Sequence, residues 1–220
     1  MREFSHLTGC MRARALLSLV VLIGILNTGC VYHRVPQSKE SLFAKKIEIP
    51  GISDVGRVNE FLYRGTQPND EGIQQLKRLG IDTIVDLRGE HPGTREKERA
   101  QVEALGMRFV TIAGNGWSPP EDDQVAEFFL LLKKSPRKKI FVHCWLGGDR
   151  TGVFVATYRI AFEGWEPQQA LEEMEAFHFK GFWHPAMKKY IRQFPERLAQ
   201  SPALAHFRSA GYSAGTGAAQ

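Results

Sequence analysis

Between residues 143 and 152 the chain reads His-Cys-Trp-Leu-Gly-Gly-Asp-Arg-Thr-Gly, which sets one cysteine six residues ahead of one arginine. A cysteine leaving a strand and facing the amino end of a helix meets unpaired backbone N–H groups and the positive end of the helix dipole. Both favour the thiolate, so Cys144 is expected to act as a nucleophile at neutral pH. Gly147 and Gly148 let the backbone curl until successive N–H groups point inward as an anion nest, so that Trp145, Leu146, Gly147, Gly148, Asp149 and Arg150 form a phosphate-binding loop. Arg150 closes the ring with a planar fork matched to two oxygens of one phosphate. Thr151 can donate its hydroxyl hydrogen to the sulfur, and His143 can order the loop from behind. A thiolate beneath a seat for a tetrahedral anion is chemistry aimed at phosphorus.

The elements that must hold this loop are legible on either side. Ile140 to His143 is a short apolar strand, and a helix runs from Arg150 to Glu163 with Gly164 as its stop. Upstream, Asp70 to Leu79 reads as a helix capped by Asn69 or Asp70 and stopped by Gly80. Ile81 to Leu87 is β-branched and apolar, a buried strand. Thr94 to Leu105 is a charged helix, Met107 to Ile112 a strand, and Glu121 to Lys134 a helix entered through Pro119-Pro120. Val125, Phe128, Phe129 and Leu132 supply the apolar stripe of that last helix. Strand and helix thus alternate three times, the pattern of an α/β fold with a mostly parallel central sheet and helices on both faces. Ile47 to Ile49 and Phe61 to Arg64 are short strand-like pieces around a Pro-Gly turn. Further helices begin near Pro167 and cover about Pro185 to Phe194.

The Cys-x5-Arg spacing, with its His-Cys and Arg-Thr-Gly extensions, resembles the signature of the protein tyrosine phosphatase superfamily, in its small dual-specificity-like branch. Phe61-Leu-Tyr-Arg-Gly-Thr-Gln-Pro68, Ile84-Val-Asp-Leu-Arg88 and Gly116-Trp-Ser-Pro-Pro120 are also similar to bacterial members, and the resemblance covers roughly residues 45–195. It implies a two-step mechanism without cofactor or metal. Cys144 attacks phosphorus to form a phosphocysteine, Arg150 and the loop amides stabilise the equatorial oxygens, and a carboxylic acid protonates the leaving oxygen and then activates water. The acid is where this chain departs from the pattern: the slot before Pro119-Pro120 falls near Asn115 or Gly116, neither of which carries a carboxyl. Asp149 inside the loop is the candidate general acid, as in similar loops with aspartate before the arginine. Glu121, Asp122 and Asp123 are the other candidates, although acidic residues in a first helical turn are explained by the dipole alone.

Other residues admit plainer readings. Arg88, at the end of its strand, would hold substrate or loop, or form a structural ion pair. Trp117 and Trp145 would wall the pocket or simply pack against loops. The basic run Lys133, Lys134, Arg137, Lys138 and Lys139 precedes the catalytic strand, on the order of 15 Å from Cys144 at the far sheet end, and reads as a solvated turn. His91, His178 and His184 show no metal-ligand spacing.

The chain has 220 residues, 43% hydrophobic and 24% charged, with formal net charge +5, proportions of one globular domain plus tails rather than a nucleic-acid binder. Its three cysteines, Cys10, Cys30 and Cys144, are too few for a disulfide scaffold and too dispersed for a zinc cluster. Arg12 and Arg14 ahead of the apolar run Ala15 to Leu26, followed by Asn27-Thr-Gly-Cys30, make a secretory signal too short to span a bilayer. The ending resembles a bacterial lipobox, with Asn27 departing from the usual leucine, and implies lipidation of Cys30. Met11 is an alternative start. The domain organisation expected is a signal over 1–29, a tether over 30–45, a phosphatase domain over 46–198 and an Ala/Gly/Ser-rich disordered tail over 199–220. Export and membrane anchorage through Cys30, on the outer-membrane or periplasmic side, follow.

The function expected is hydrolysis of phosphate monoesters, with a phosphorylated protein or small phosphoester as partner and phosphotyrosine or dual specificity foremost. A phosphoinositide or inositol phosphate phosphatase is the alternative within the same chemistry, although the loop lacks the lysines of polyphosphate-specific forms. A non-catalytic phospho-binding module is the alternative outside it. Arsenate reductases and rhodaneses also use cysteine anion loops, but theirs lack the Arg-Thr-Gly continuation.

Overall fold

The computed structural model describes residues 42–134 and 137–208; the signal, Cys30 and most of the tether therefore lie outside the described residues. Six strands form one sheet in the order β1-β2-β3-β6-β4-β5: β1 (Lys45–Ile49), β2 (Ile52–Arg57), β3 (Leu62–Gly65), β4 (Ile81–Arg88), β5 (Arg108–Gly114) and β6 (Lys139–His143). The parallel half, β3-β6-β4-β5, comes from the alternating segments that the periodicity identifies. β1, β2 and β3 pair antiparallel, so the sheet is mixed rather than mostly parallel. The reason is connection length. The turn at Pro50-Gly51 and the short link from Arg57 to Leu62 cannot carry the crossover that a parallel pair needs. β2 itself has a weak signature, Ile-Ser-Asp-Val-Gly-Arg, because its regular alternation is broken at Asp54, which sits at φ 52°.

Alternation along the strands splits the core into two layers. Ile84 and Phe141 face α1 (Asp70–Arg78) and α2 (Pro92–Ala104), joining Ile73, Leu76 and Val102. Val85, Leu87, Ile140 and Val142 face the other way, onto α3 (Asp122–Lys134), α4 (Arg150–Glu163), α5 (Pro167–Ala176) and α6 (Pro185–Gln200). α4 is buried along most of its length, which is why its sequence carries no polar stripe. Asn69 caps α1 by accepting from the Gly72 amide at 2.9 Å. β4, β5 and β6 point their carboxyl ends toward one edge, where ligands gather in parallel α/β sheets.

The carboxyl-terminal boundary differs from the expected one. α6 continues through Pro195 to Gln200, and Pro202–Phe207 forms a 3-10 helix, so residues 199–208 are folded rather than part of a disordered tail. Small residues dominate the local composition, but Leu204 and Phe207 are buried, and the Phe207 ring stands edge-on to Phe129 with centroids 5.2 Å apart. Two apolar anchors thus outweigh the average. Phe207→Ala is expected to cost about 3 kcal/mol, the usual cost of emptying a buried phenylalanine site, read as a lowered urea midpoint at unchanged slope. An unchanged midpoint would show that this segment is not part of the cooperative unit.

Candidate active site

The loop from Cys144 to Arg150 joins β6 to α4 at the carboxyl edge of the sheet. The backbone N–H groups of Trp145, Leu146, Gly147, Gly148 and Asp149 donate to no acceptor among the described residues. Such a run of free donors at a helix start is an anion site. Cys144 is a free thiol, 3% exposed, at the start of this run. Two glycines make the curl possible. Gly147 has φ 72°, and a Cβ there would lie 2.6 Å from the Gly65 carbonyl oxygen. A Cβ at Gly148 would lie 2.9 Å from the His178 carbonyl oxygen.

Arg150 is 7% exposed and its donors divide cleanly. Nη1 donates to Glu90 Oε2 at 2.8 Å and lies near the carbonyls of Gly114 at 3.4 Å and Leu87 at 3.5 Å. Nη2 gives one hydrogen to Glu90 Oε1 at 2.7 Å. The Nε–H and the second Nη2 hydrogen, which share one edge of the guanidinium, have no partner among the described residues. That edge fits two phosphate oxygens. Burial works against the charge on Arg150, but the bond to Glu90 and the negative charges of Cys144, Glu90 and Asp86 outweigh it and raise its pKa. The same bond lowers the Glu90 carboxyl to about 2. Glu90 therefore grips the far edge of the arginine and leaves the near edge presented.

A buried network stands behind the loop. His143 Nδ1 lies 3.1 Å from the Cys144 carbonyl oxygen, and its Nε2 lies 2.9 Å from Glu98 Oε1, an ion-pair distance without hydrogen-bond alignment. Glu98 Oε2 accepts from Arg88 at 2.6 Å and from Gln67 at 3.2 Å. Arg88 also forks onto Asp86 at 2.7 and 3.0 Å. Despite burial, the bonds and charges of Asp86 and Glu98 hold the Arg88 pKa above arginine's usual value. Arg88 is thus an ion-pair residue that touches the loop through the Trp145 ring, 5.3 Å away, and it does not line the cleft. Thr151 is buried and its hydroxyl makes no hydrogen bond among the described residues, so the bond expected to the sulfur is not formed here.

Above the loop opens a cleft of about 800 Å³ whose walls include Glu90, Trp117, Trp145, Leu146, Asp149 and His184. Both tryptophans expected as walls are present. Asp149 caps α4 without a side-chain cap bond; Oδ1 accepts from the Lys180 amide at 2.9 Å, and Oδ2 lies 3.5 Å from His184 Nε2. Asp122 is engaged elsewhere, accepting from Tyr190 at 3.1 Å and Arg197 at 3.2 Å, while Asp123 is exposed, and neither lines the cleft. Non-glycine residues at positive φ gather around the loop: His91 at 55°, with its ring 5.7 Å from Trp145, and Asp54 at 52° and His178 at 62°, which share a neighbouring hollow with Leu146 and Asp149. Backbone strain concentrated at one site is typical of a site that must be held in shape. Glu90, Glu98 and His184 belong to no motif. Only their positions just after a strand end, inside a charged helix and ahead of Pro185 mark them.

The pair Glu90–Arg150 makes a checkable contribution. Because the folded carboxyl is depressed to about 2 from an ordinary 4.5, its stabilisation is present above pH 4.5 and lost as pH falls through 2. Glu90→Gln removes that component, so its stability, measured by denaturant titration in a pH series, should fall less steeply across this window than that of the wild type. Equal slopes would refute the pairing.

Residues 51–191 match the family described as DSP-PTPase phosphatase fused to NAD+ kinase. The dual specificity protein phosphatase TpbA of Pseudomonas aeruginosa (strain UCBPP-PA14) is 32% identical over 162 residues, covering 72% of this chain and 70% of TpbA. The crystal structure of P. aeruginosa TpbA superposes with a TM-score of 0.61 at 27% identity, covering 74% of this chain and 98% of that one. TpbA in complex with phosphotyrosine gives the same TM-score at 25% identity, covering 75% and 99%. Tk-PTP in its active form, at 16% identity and TM-score 0.58, covers 68% of this chain and 99% of its own and shares the fold. With a cysteine, a presented arginine edge and a ring of free amides at the loop the match includes, the chain belongs to the dual-specificity branch of the protein tyrosine phosphatase superfamily and is a cysteine-dependent phosphatase.

Proposed function

We propose that the chain hydrolyses singly phosphorylated monoesters with an aromatic or apolar leaving group, phosphotyrosine in protein foremost, through a phosphocysteine on Cys144. The observation that carries this reading is the set of free donors: five loop amides and one edge of Arg150 around a single thiol. Cys144 Sγ attacks phosphorus while the bond to the leaving oxygen breaks, and Asp149 in its carboxylic form gives that oxygen a proton. Asp149, now a carboxylate, takes a proton from water as the water oxygen attacks phosphorus, and phosphate and thiolate are released. His184, beside Asp149, steadies the carboxyl between the two steps. Trp117 and Trp145 suit an aromatic leaving group. The relative bound to phosphotyrosine supports this substrate class. Glu90 and Asp149 in the walls tell against a phosphoinositide with several phosphates, since additional anions would meet carboxylates there.

With p-nitrophenyl phosphate, Cys144→Ser should abolish turnover. Turnover that persists without the thiol would sink the mechanism, and its absence in the wild type would leave only a binding module. Asp149→Ala should slow alkyl phosphates by roughly a hundredfold and p-nitrophenyl phosphate far less, because general acid catalysis matters most for a poor leaving group. Equal loss for both substrates would remove Asp149 from that role.

The enzyme is further proposed to work outside the cytoplasm on a lipid anchor at Cys30. The reading rests on the charged, apolar and Thr-Gly-Cys segments in succession. Labelled palmitate should be incorporated by the wild type expressed in a bacterium and not by Cys30→Ser; equal labelling of both would refute it.

A further inference from the structure

β3 carries a charged side chain that the mechanism above does not use. Arg64 is completely buried, beneath the loop rather than in the cleft. Its Nη2 donates to the Gly147 carbonyl oxygen at 2.7 Å, while Nε and Nη1 are buried without a hydrogen-bond partner among the described residues. The guanidinium lies over the Phe177 ring, 4.2 Å from its centroid. Space for it comes from glycines: a Cβ at Gly56 would lie 3.0 Å from Arg64 Cγ, and one at Gly152 would lie 3.7 Å from Nη2. A buried cation with two idle donors is costly, and burial lowers its pKa to about 10, still leaving it charged at neutral pH. Such a group persists where its charge and its one bond do work that a neutral side chain could not.

We infer that Arg64 is a positioning residue of the catalytic loop, which holds the Gly147–Gly148 peptide in its anion-binding orientation and supports the Cys144 thiolate from below; this rests on the phosphatase reading above. The geometry is direct. In a trans peptide the C=O and the following N–H point opposite ways, so a bond that pins the Gly147 carbonyl toward Arg64 turns the Gly148 N–H away from it, to the ligand side. The torsions that set this plane, ψ of Gly147 and φ of Gly148, both belong to glycines with no Cβ to restrict them, so an outside hold fixes it. Electrostatically, Arg64 is attracted to Glu173 on α5, Asp54 on β2 and Cys144, and repelled by Arg159 on α4. The thiolate also faces Arg150, whose charge is shared with Glu90 and Asp86. Arg150 is thus partly neutralised from the cleft side, and Arg64 is the second cation that the sulfur feels.

The test compares wild type with Arg64→Met and Arg64→Lys in the full chain. Iodoacetamide, being neutral, reports thiolate without being drawn to the nest, and mass spectrometry of the peptide bearing Cys144 separates it from Cys10 and Cys30. Protection of Cys144 by inorganic phosphate reads the orientation of the amides. Arg64→Met should move the half-alkylation pH up by about one and weaken phosphate protection roughly tenfold. Arg64→Lys keeps the charge but loses the planar reach, so it should restore most of the alkylation profile while protection remains weakened. If Arg64→Met does not fold, as judged by circular dichroism, Arg64→Lys alone carries the test, because a merely structural arginine would leave its alkylation and protection together at wild-type values. Wild-type alkylation and protection in folded Arg64→Met, or wild-type phosphate protection in folded Arg64→Lys, overturn the inference. A wild type that phosphate does not protect overturns the phosphatase reading itself, and the inference with it.

Discussion

Five successive backbone N–H groups without an acceptor among the described residues are the constraint on which this structure turns. A chain left to itself would pair such donors, because each one hidden from water without a partner forfeits on the order of 1–3 kcal/mol. The segment from Cys144 to Arg150 cannot pair them while it must turn from β6 into α4 in so few residues. Its conformation is therefore borrowed from the surroundings: Gly65 and His178 press against Gly147 and Gly148 so closely that no side chain fits. A tetrahedral anion would supply acceptors to these donors.

The supports fall into two sets with different physics. Below and behind the loop lie charged groups sealed from water: the ion pairs of Arg88 with Asp86 and Glu98, beside His143, on one side, and on the other the Arg159–Glu173 pair, with Arg64 attracted to Glu173 and repelled by Arg159. Buried pairs of this kind add little to net stability against an apolar replacement, but removing one partner strands the other, so they fix geometry strongly. In front, the holding groups are partly exposed. Glu90 grips Arg150 with a carboxylate open to water, and Asp149 rests on the Lys180 amide beside His184. The groups behind the loop are thus shielded from solvent, while those in front face the cleft.

How far the sequence discloses this depends on whether a feature is local. The parallel strands, the helices between them and the loop are written in periodicity and spacing over fewer than twenty residues, and they stand where Ile81 to Leu87, Val125 to Leu132 and Cys144 to Arg150 place them. The antiparallel edge is not legible in that way, because β2 carries a left-handed Asp54 and a glycine where alternation should run. The carboxyl-terminal packing escapes because two anchors, Leu204 and Phe207, are diluted among small residues. In the site, residues that touch the phosphate seat through their own backbone are read directly, whereas Arg64 on β3, Glu90 just after β4 and Glu98 on α2 act from 46 to 80 positions ahead of Cys144. The charges of Glu90 and Glu98 look like ordinary surface charges, and Arg64 is marked only as part of the Phe61–Pro68 segment, until the sheet order brings β3, β6 and β4 side by side.

That sheet order also bears on substrate choice. With β6 between β3 and β4, the loop has a cation on each side, Arg64 below and Arg150 at the cleft, and the cleft-side cation already shares its charge with Glu90. Around the seat itself the walls are Trp117, Trp145 and Leu146, exposed apolar surfaces, with Glu90 and Asp149 as the charged members besides Arg150. A phosphate dianion on an aromatic or apolar group meets donors at its head and apolar walls along its body. A second phosphate on the same molecule would meet the carboxylates of Glu90 and Asp149, with Asn115 and His184 as the other polar side chains of the walls. In the function proposed above, discrimination would therefore come as much from the charge of the walls as from the donors of the loop.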